Sequence, residues 1–317
     1  MVAISTDWRQ AKLSPADHAM LEFGEKLTVM PSAMAESDLE KLRQAGFSER
    51  EIVGLTAAAA YRNFITRIAD GLGVELGKYG DGYYDSQVLR AFGVTGAAVG
   101  GTLYADRQAP SREPAAAHRV HSRPGPHTRD ARVCWIGSPD EQALAKSHAT
   151  TASASLPAGL RNLAIALSLK PDTLAATVEF AHLVDMGGSG LGDRGEAIIG
   201  VVVAAVLGLS YLGAHHAQRL LDGGATLAEL GALADNPAGD SLNGREREVA
   251  RFCEKLTRAP GTTAPADVEA LRAAGFDDRE IVSIVAATAF ANYSGRLAAA
   301  LGVRPEASLS EAAQNAI

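Results

Sequence analysis

Few polar residues interrupt the most apolar stretch of this 317-residue chain, and their types suit proton transfer. Glu196 stands at its start, and Ser210, Tyr211, His215 and His216 stand at its end. A histidine beside an acid in apolar surroundings can serve as general base or acid near neutral pH. A tyrosine or serine hydroxyl can hold a substrate oxygen. Glu196, His215 and His216 are therefore the catalytic candidates, with Ser210 and Tyr211 as substrate-binding candidates. Geometry sets a condition: on one straight helix Glu196 and His216 would lie about 30 Å apart. They can cooperate only if the chain bends, at Gly208 or Gly213, or if another module supplies the partner. Adjacent histidines on a helix point about 100° apart, so one of the two at most faces a given pocket. The bland alternative is a helix end with one solvated and one packed histidine.

The stretch itself, Ala197 to Ala214 (AIIGVVVAAVLGLSYLGA), carries no charge. Its length reaches the threshold for a membrane-span candidate. Richness in Ala and Gly and the lack of a second span favour a buried core helix.

The elements around it repeat. Residues 42–74, LRQAGFSEREIVGLTAAAAYRNFITRIADGLGV, recur 229 positions later as LRAAGFDDREIVSIVAATAFANYSGRLAAALGV. The match is gapless, with roughly half the positions identical, and indicates duplication. It extends upstream, where Phe23 to Thr28 answers Phe252 to Thr257. Each copy reads as three helices. The first runs through Glu25-Lys26-Leu27 or Glu254-Lys255-Leu256. A short second helix opens at Ser37-Asp38 or Ala266-Asp267 and stops at Gly46 or Gly275. The third is capped by Ser48 with Glu51, or Asp277 with Glu280, in a capping box, and ends at Leu-Gly-Val. Inside it Asn63 and Arg67, and again Asn292 and Arg296, stand four apart on one face. They tie packed neighbours together or line a pocket; Asn292 and Arg296 are carried forward as further substrate-binding candidates.

Between the copies the texture changes. Val88 to Leu103 reads as a weak, glycine-interrupted helix. Ala105 to Arg132 is rich in Pro and Arg and reads as a flexible linker. Its histidines, His118, His121 and His127, have no fixed geometry and are read as solvated, not as metal ligands. Helical texture returns from Leu156, with Leu160 to Leu169 as one helix and another starting at Pro171-Asp172. Gly187 to Gly195 is a loop.

This pattern resembles the alkylhydroperoxidase D-like and carboxymuconolactone decarboxylase superfamily. The carrying residues are the long helix, its Tyr-x3-His-His end and the Leu-Arg-x-Ala-Gly-Phe…Asn-x3-Arg module. The module is similar to the peroxidase-related branch. The resemblance implies an all-α helical bundle: a half-domain in 1–77, a linker in 78–155, a complete domain in 156–305 and a tail in 306–317. The C-terminal half of the domain is thus duplicated at the N-terminus. It also implies a glutamate, a Cys-x-x-Cys pair and a histidine, acting through thiolate chemistry. One register puts the cysteine positions at Leu209 and Leu212, with His216 as the histidine. A register shifted by one puts them at Gly208 and Tyr211, with His215, and suits Glu196 better. Neither register holds a cysteine; Cys134 and Cys253 stand elsewhere and far apart.

Three readings follow. The first is a thiol-free enzyme using His and Glu for decarboxylation, isomerisation or elimination on a small organic acid or lactone. The decarboxylase branch works without the cysteine pair. The second is a degenerate binding or assembly subunit, and the third a redox enzyme using a non-protein thiol or a metal. No cofactor is expected. Net charge is −7 and aromatics are 5%, a poor match for nucleic-acid binding or a β-sandwich. Two cysteines build no disulfide scaffold, and the polar start MVAISTDWRQAKLSPADHAM reads as cytoplasmic. A half-domain with an apolar face needs a partner, so residues 14–77 are expected to pack on the C-terminal module, with further assembly into a homo-oligomer.

Overall fold

The computed structural model describes residues 7–74, 132–137, 160–237, 239 and 241–315. Among these, every regular element is helical. The order is α1 (Pro15–Val29), α2 (Glu36–Gln44), α3 (Glu49–Leu72), α4 (Arg161–Leu167), α5 (Pro171–Val184), α6 (Gly192–Leu207) and α7 (Ser210–Asp222). It continues with α8 (Leu227–Asp235), α9 (Gly244–Arg258), α10 (Pro265–Ala273), α11 (Asp278–Leu301) and α12 (Glu311–Gln314). The two sequence copies are α1–α3 and α9–α11.

Local chemistry explains their ends. Glu51 accepts from the Ser48 N–H at 2.8 Å, and Glu280 accepts from the Asp277 N–H at 2.9 Å, closing both expected capping boxes. Gly73 and Gly302 end the long helices at φ of 65° and 62°, a left-handed turn that glycine adopts freely. The short helices open earlier than the sequence suggests, after Ala35 and Ala264. Asp38 and Asp267 act from inside the first turn, reaching back to those N–H groups at 2.8 and 2.7 Å. Each also binds the lysine of the preceding helix, Lys26 or Lys255.

The two long helices α3 and α11 pack together through the repeated Asn and Arg. Asn63 Nδ2 donates to Thr28 Oγ1, and Asn292 Nδ2 to Thr257 Oγ1, each at 3.0 Å within its own copy. The arginines cross over. Arg67 Nη2 donates to the Thr257 carbonyl at 2.9 Å, and Arg296 Nη2 to the Thr28 carbonyl at 3.2 Å. Thr28 and Thr257 lie in the last turns of α1 and α9, where carbonyls lack helical partners. Each guanidinium thus caps the other copy's first helix, at the end where its dipole favours a cation. Asn292 and Arg296 are 0% and 1% exposed, inside this interface, which supports the tying role and not pocket lining. Burial has a cost: it brings the Arg67 pKa down to about 10, and burial with Arg67 nearby depresses that of Arg296.

The uncharged stretch is not one helix. Gly208, at φ 67°, ends α6, and the Leu209 N–H closes back on the Ala204 carbonyl at 3.0 Å. α7 then folds back along α6, bringing Gly200 to His216 and Glu196 to Arg219. The expected continuous helix over 197–214 is corrected accordingly. No helix among the described residues is long and apolar enough to cross a membrane.

Part of the expected linker belongs to the core. Trp135 N–H bonds the Leu301 carbonyl at 2.8 Å, and Arg304 N–H bonds the Val133 carbonyl at 2.9 Å. The Trp135 ring lies on Gly302, and Arg43 Nη2 reaches the Trp135 carbonyl at 2.9 Å, so the segment joins both copies. Val88 to Leu103 and His118, His121 and His127 lie outside the described residues.

Arg296→Ala removes a charge-assisted bond and leaves a cavity, so it is expected to cost about 3 kcal/mol. Urea unfolding measures this; an unchanged midpoint would show that the crossed caps carry no energy.

Candidate active site: two histidine–carboxylate pairs

The α6–α7 hairpin positions both histidines, and they face different ways, as adjacent helical residues must. His215 meets Glu306, a residue that follows α11: Nε2 and Oε2 stand 2.5 Å apart. The approach is close but not in line for a hydrogen bond. Glu306 is fixed from its other oxygen, which accepts the Asn162 N–H at 2.8 Å and the Tyr211 hydroxyl at 3.3 Å. The Tyr211 ring meets His215 edge-on, with centroids 4.6 Å apart. Burial, with Glu306 beside it, holds the Tyr211 phenol well above its ordinary pKa, so it acts as a neutral donor. The His215 side chain keeps 12% of its surface open.

His216 is enclosed. Its ring lies so close to Gly200 that a Cβ there would sit 2.1 Å from Cγ. Nε2 is 3.8 Å from Asp185 Oδ2, at the C-terminal cap of α5. Burial, then Arg219, then His215 push the His216 pKa well below its usual value, favouring the neutral imidazole. Burial pushes the Asp185 carboxyl up to about 7, against the pull of Arg219 and with the help of Glu196.

Glu196 is not held by a histidine. Its carboxylate accepts from Gly187 N–H at 2.9 Å, Ser189 hydroxyl at 2.6 Å and Arg219 Nη2 at 2.8 Å. The bend does bring Glu196 near the end of the hairpin, but its partner there is Arg219. Arg219 also binds Asp185 Oδ1 at 2.9 Å and Asp193 at 3.1 Å. Ser210 is exposed as the first residue of α7. The structure therefore joins Tyr211 with His215, sets His216 and Glu196 on a separate buried network, and leaves Ser210 at the surface.

No family model matches the chain, and no curated protein matches it. Among solved structures, an uncharacterized peroxidase-related protein from Silicibacter sp. TM1040 is 31% identical, with a TM-score of 0.42. The match covers 46% of this chain and 76% of that one. A second, described as an alkylhydroperoxidase AhpD core and peroxidase-related protein from Ralstonia eutropha JMP134, is 28% identical, also at 0.42, covering 46% and 77%. This chain is similar to peroxidase-related proteins. In the register that puts the cysteine pair at Leu209 and Leu212, both lie buried against Gly295 of α11; the shifted register puts it at Gly208 and Tyr211. The thiols that exist are poorly suited to attack. Burial pushes Cys253, 2.9 Å from Thr288 Oγ1, up to about 12, and it also raises Cys134.

Sequence reasoning missed Asp185, Arg219, Glu306 and Asn162. Arg219 had a signal, standing four residues after His215 and three after His216. Glu306 and Asn162 had none, since only the packing of the C-terminal segment on α4 brings them to His215.

Two outcomes follow. Gly200→Ala forces a Cβ into the His216 ring and is expected to lose about 1–3 kcal/mol. Adding His216→Ala should recover part of that loss, so strict additivity in urea unfolding would contradict the packing. The second concerns pH. Stability from Asp185, whose pKa rises on folding, is present below about 3.8 and lost as pH rises through about 7. His216, depressed from 6.5, works oppositely: its contribution is present above 6.5 and lost as pH falls. Asp185→Asn should therefore gain on the parent between pH about 4 and about 7. A gap that does not change over that range contradicts the assignment.

Proposed function

We propose that the chain is a thiol-free member of the alkylhydroperoxidase D-like and carboxymuconolactone decarboxylase superfamily, and that its site is His215 with Glu306 and Tyr211. The observation that carries this is the 2.5 Å approach of His215 to Glu306 on an imidazole that still reaches solvent. His215 would take a proton from, or return it to, a small organic acid or lactone. Glu306 packs closely against the imidazole, and Tyr211 holds Glu306. The reaction class is decarboxylation, isomerisation or elimination. Support for the superfamily comes from the repeated module and from the 31% identity over three-quarters of a peroxidase-related protein. Support for thiol-free chemistry comes from the two raised cysteine pKa values. Glu196 and His216 act here as structural groups that hold the hairpin.

A panel of small carboxylated lactones, followed for turnover by carbon dioxide release and by NMR of the products, tests this. His215→Ala and Glu306→Gln are each expected to lose about a hundredfold or more in kcat. The double variant Cys134→Ser/Cys253→Ser should keep full activity and consume no peroxide with a dithiol donor. Full turnover in both His215→Ala and Glu306→Gln would end the acid–base assignment.

A second reading, a non-catalytic binding or assembly subunit, has one observation in its favour. Two surface cavities beside α6 are lined by neither histidine. A folded protein that turns over no member of the panel would favour it.

A further inference from the structure

The larger of those cavities, about 250 Å³, opens where the starts of α6, α9 and α11 meet. Its size falls just below the range of about 300–1,000 Å³ that suits drug-sized ligands, so it fits a smaller molecule. Leu191, Ile198, Val249 and Phe276 give it an apolar lining. Arg194, Arg245, Glu246, Glu280 and Asn243 supply the polar groups.

Those polar groups are unequally engaged. Glu246 accepts from Arg194 Nε at 2.7 Å through one oxygen and from Asn243 N–H at 3.2 Å through the other. Glu280 likewise binds Arg245 and the Asp277 N–H. Asn243 Oδ1 accepts the Glu246 N–H at 2.9 Å. Each acceptor oxygen on these side chains thus already takes one hydrogen bond. Donors are left over: Arg194 spends only Nε, and neither of its terminal amines has a protein partner among the described residues. Asn243 Nδ2 is in the same position. Arg245 lies over Phe276, 3.9 Å from the ring centroid, and stiffens that wall. A cleft with an apolar lining and unused guanidinium donors at its mouth suits a ligand that brings an apolar body and acceptor oxygens.

We infer that this cleft binds a small carboxylate with an apolar or aromatic body, its oxygens on the terminal amines of Arg194. The site is separate from His215, and the inference does not depend on the reaction proposed there.

Benzoate titrated into the purified full-length protein tests it, with benzyl alcohol as the uncharged comparison. Binding is read by calorimetry and by backbone amide shifts. Expected are saturable binding of benzoate with shifts at Gly190, Leu191 and Gly195, and at least fivefold weaker binding of benzyl alcohol. Arg194→Gln, a change at a half-exposed side chain, should weaken benzoate about tenfold and leave benzyl alcohol unchanged, while Arg194→Lys keeps part of the affinity. Phe276→Leu should weaken both ligands. His215→Ala should bind benzoate like the parent. No saturable binding overturns the proposal, as does unaltered benzoate affinity in Arg194→Gln with a native unfolding profile. Shifts confined to the surroundings of His215 also overturn it.

Discussion

Two helices in this protein end against the other copy of the repeat, and the carbonyls of their last turns have no partner within their own helix. α9 ends at the buried Thr257, and α1 ends at Thr28, an exposed residue whose carbonyl faces the α3–α11 pair. Arg67 and Arg296 supply that partner by crossing from one copy of the repeat to the other. An arginine can do this because its planar fork serves two acceptors at once: one amine binds the asparagine of its own helix and the other reaches across. The Asn–Arg spacing of four is therefore a joint constraint of helix geometry and of the distance between copies. Neither copy is self-sufficient, since each supplies the cap that the other lacks.

The faces turned away from that interface have no such constraint, and there the copies differ. On α11, Ala291 and Gly295 let Leu209 and Leu212 of the hairpin approach closely. The equivalent positions on α3 are Arg62 and Thr66, both exposed. Small residues are needed where a backbone must come near, and polar ones serve where the helix meets water. The same repeat thus carries a hairpin on one copy and solvent on the other.

The hairpin itself depends on charge compensation. Asp185, Asp193 and Glu196 converge on Arg219, and the first and last of these are largely withdrawn from water. Burial is the main reason that the Asp185 carboxyl holds its proton up to about 7, with Glu196 adding to it against the pull of Arg219. The neighbouring His216 responds to the same burial in the opposite sense and stays neutral. His215, turned about 100° away on the same helix, meets Glu306 instead, at a buried contact.

Much of the fold was legible in the sequence because it follows from local rules. Ser48 with Glu51 and Asp277 with Glu280 mark helix starts, Gly73 and Gly302 mark ends, and the repeat announces two equivalent units. The bend in the uncharged stretch was legible only as a condition. Gly208 and Gly213 both permit a turn, and packing selects Gly208, leaving Gly213 inside α7. Partners of the polar residues were not legible at all. A glutamate and a histidine flanking one apolar run suggest a pair. Once the run folds back, though, the residue opposite Glu196 is Arg219, and the acid beside His215 comes from Glu306, 91 residues further along the chain. Helix propensity, capping and periodicity act over a few residues and are written in the sequence. Which acid meets which base depends on how helices far apart in sequence are laid side by side, and that is decided only in the folded molecule.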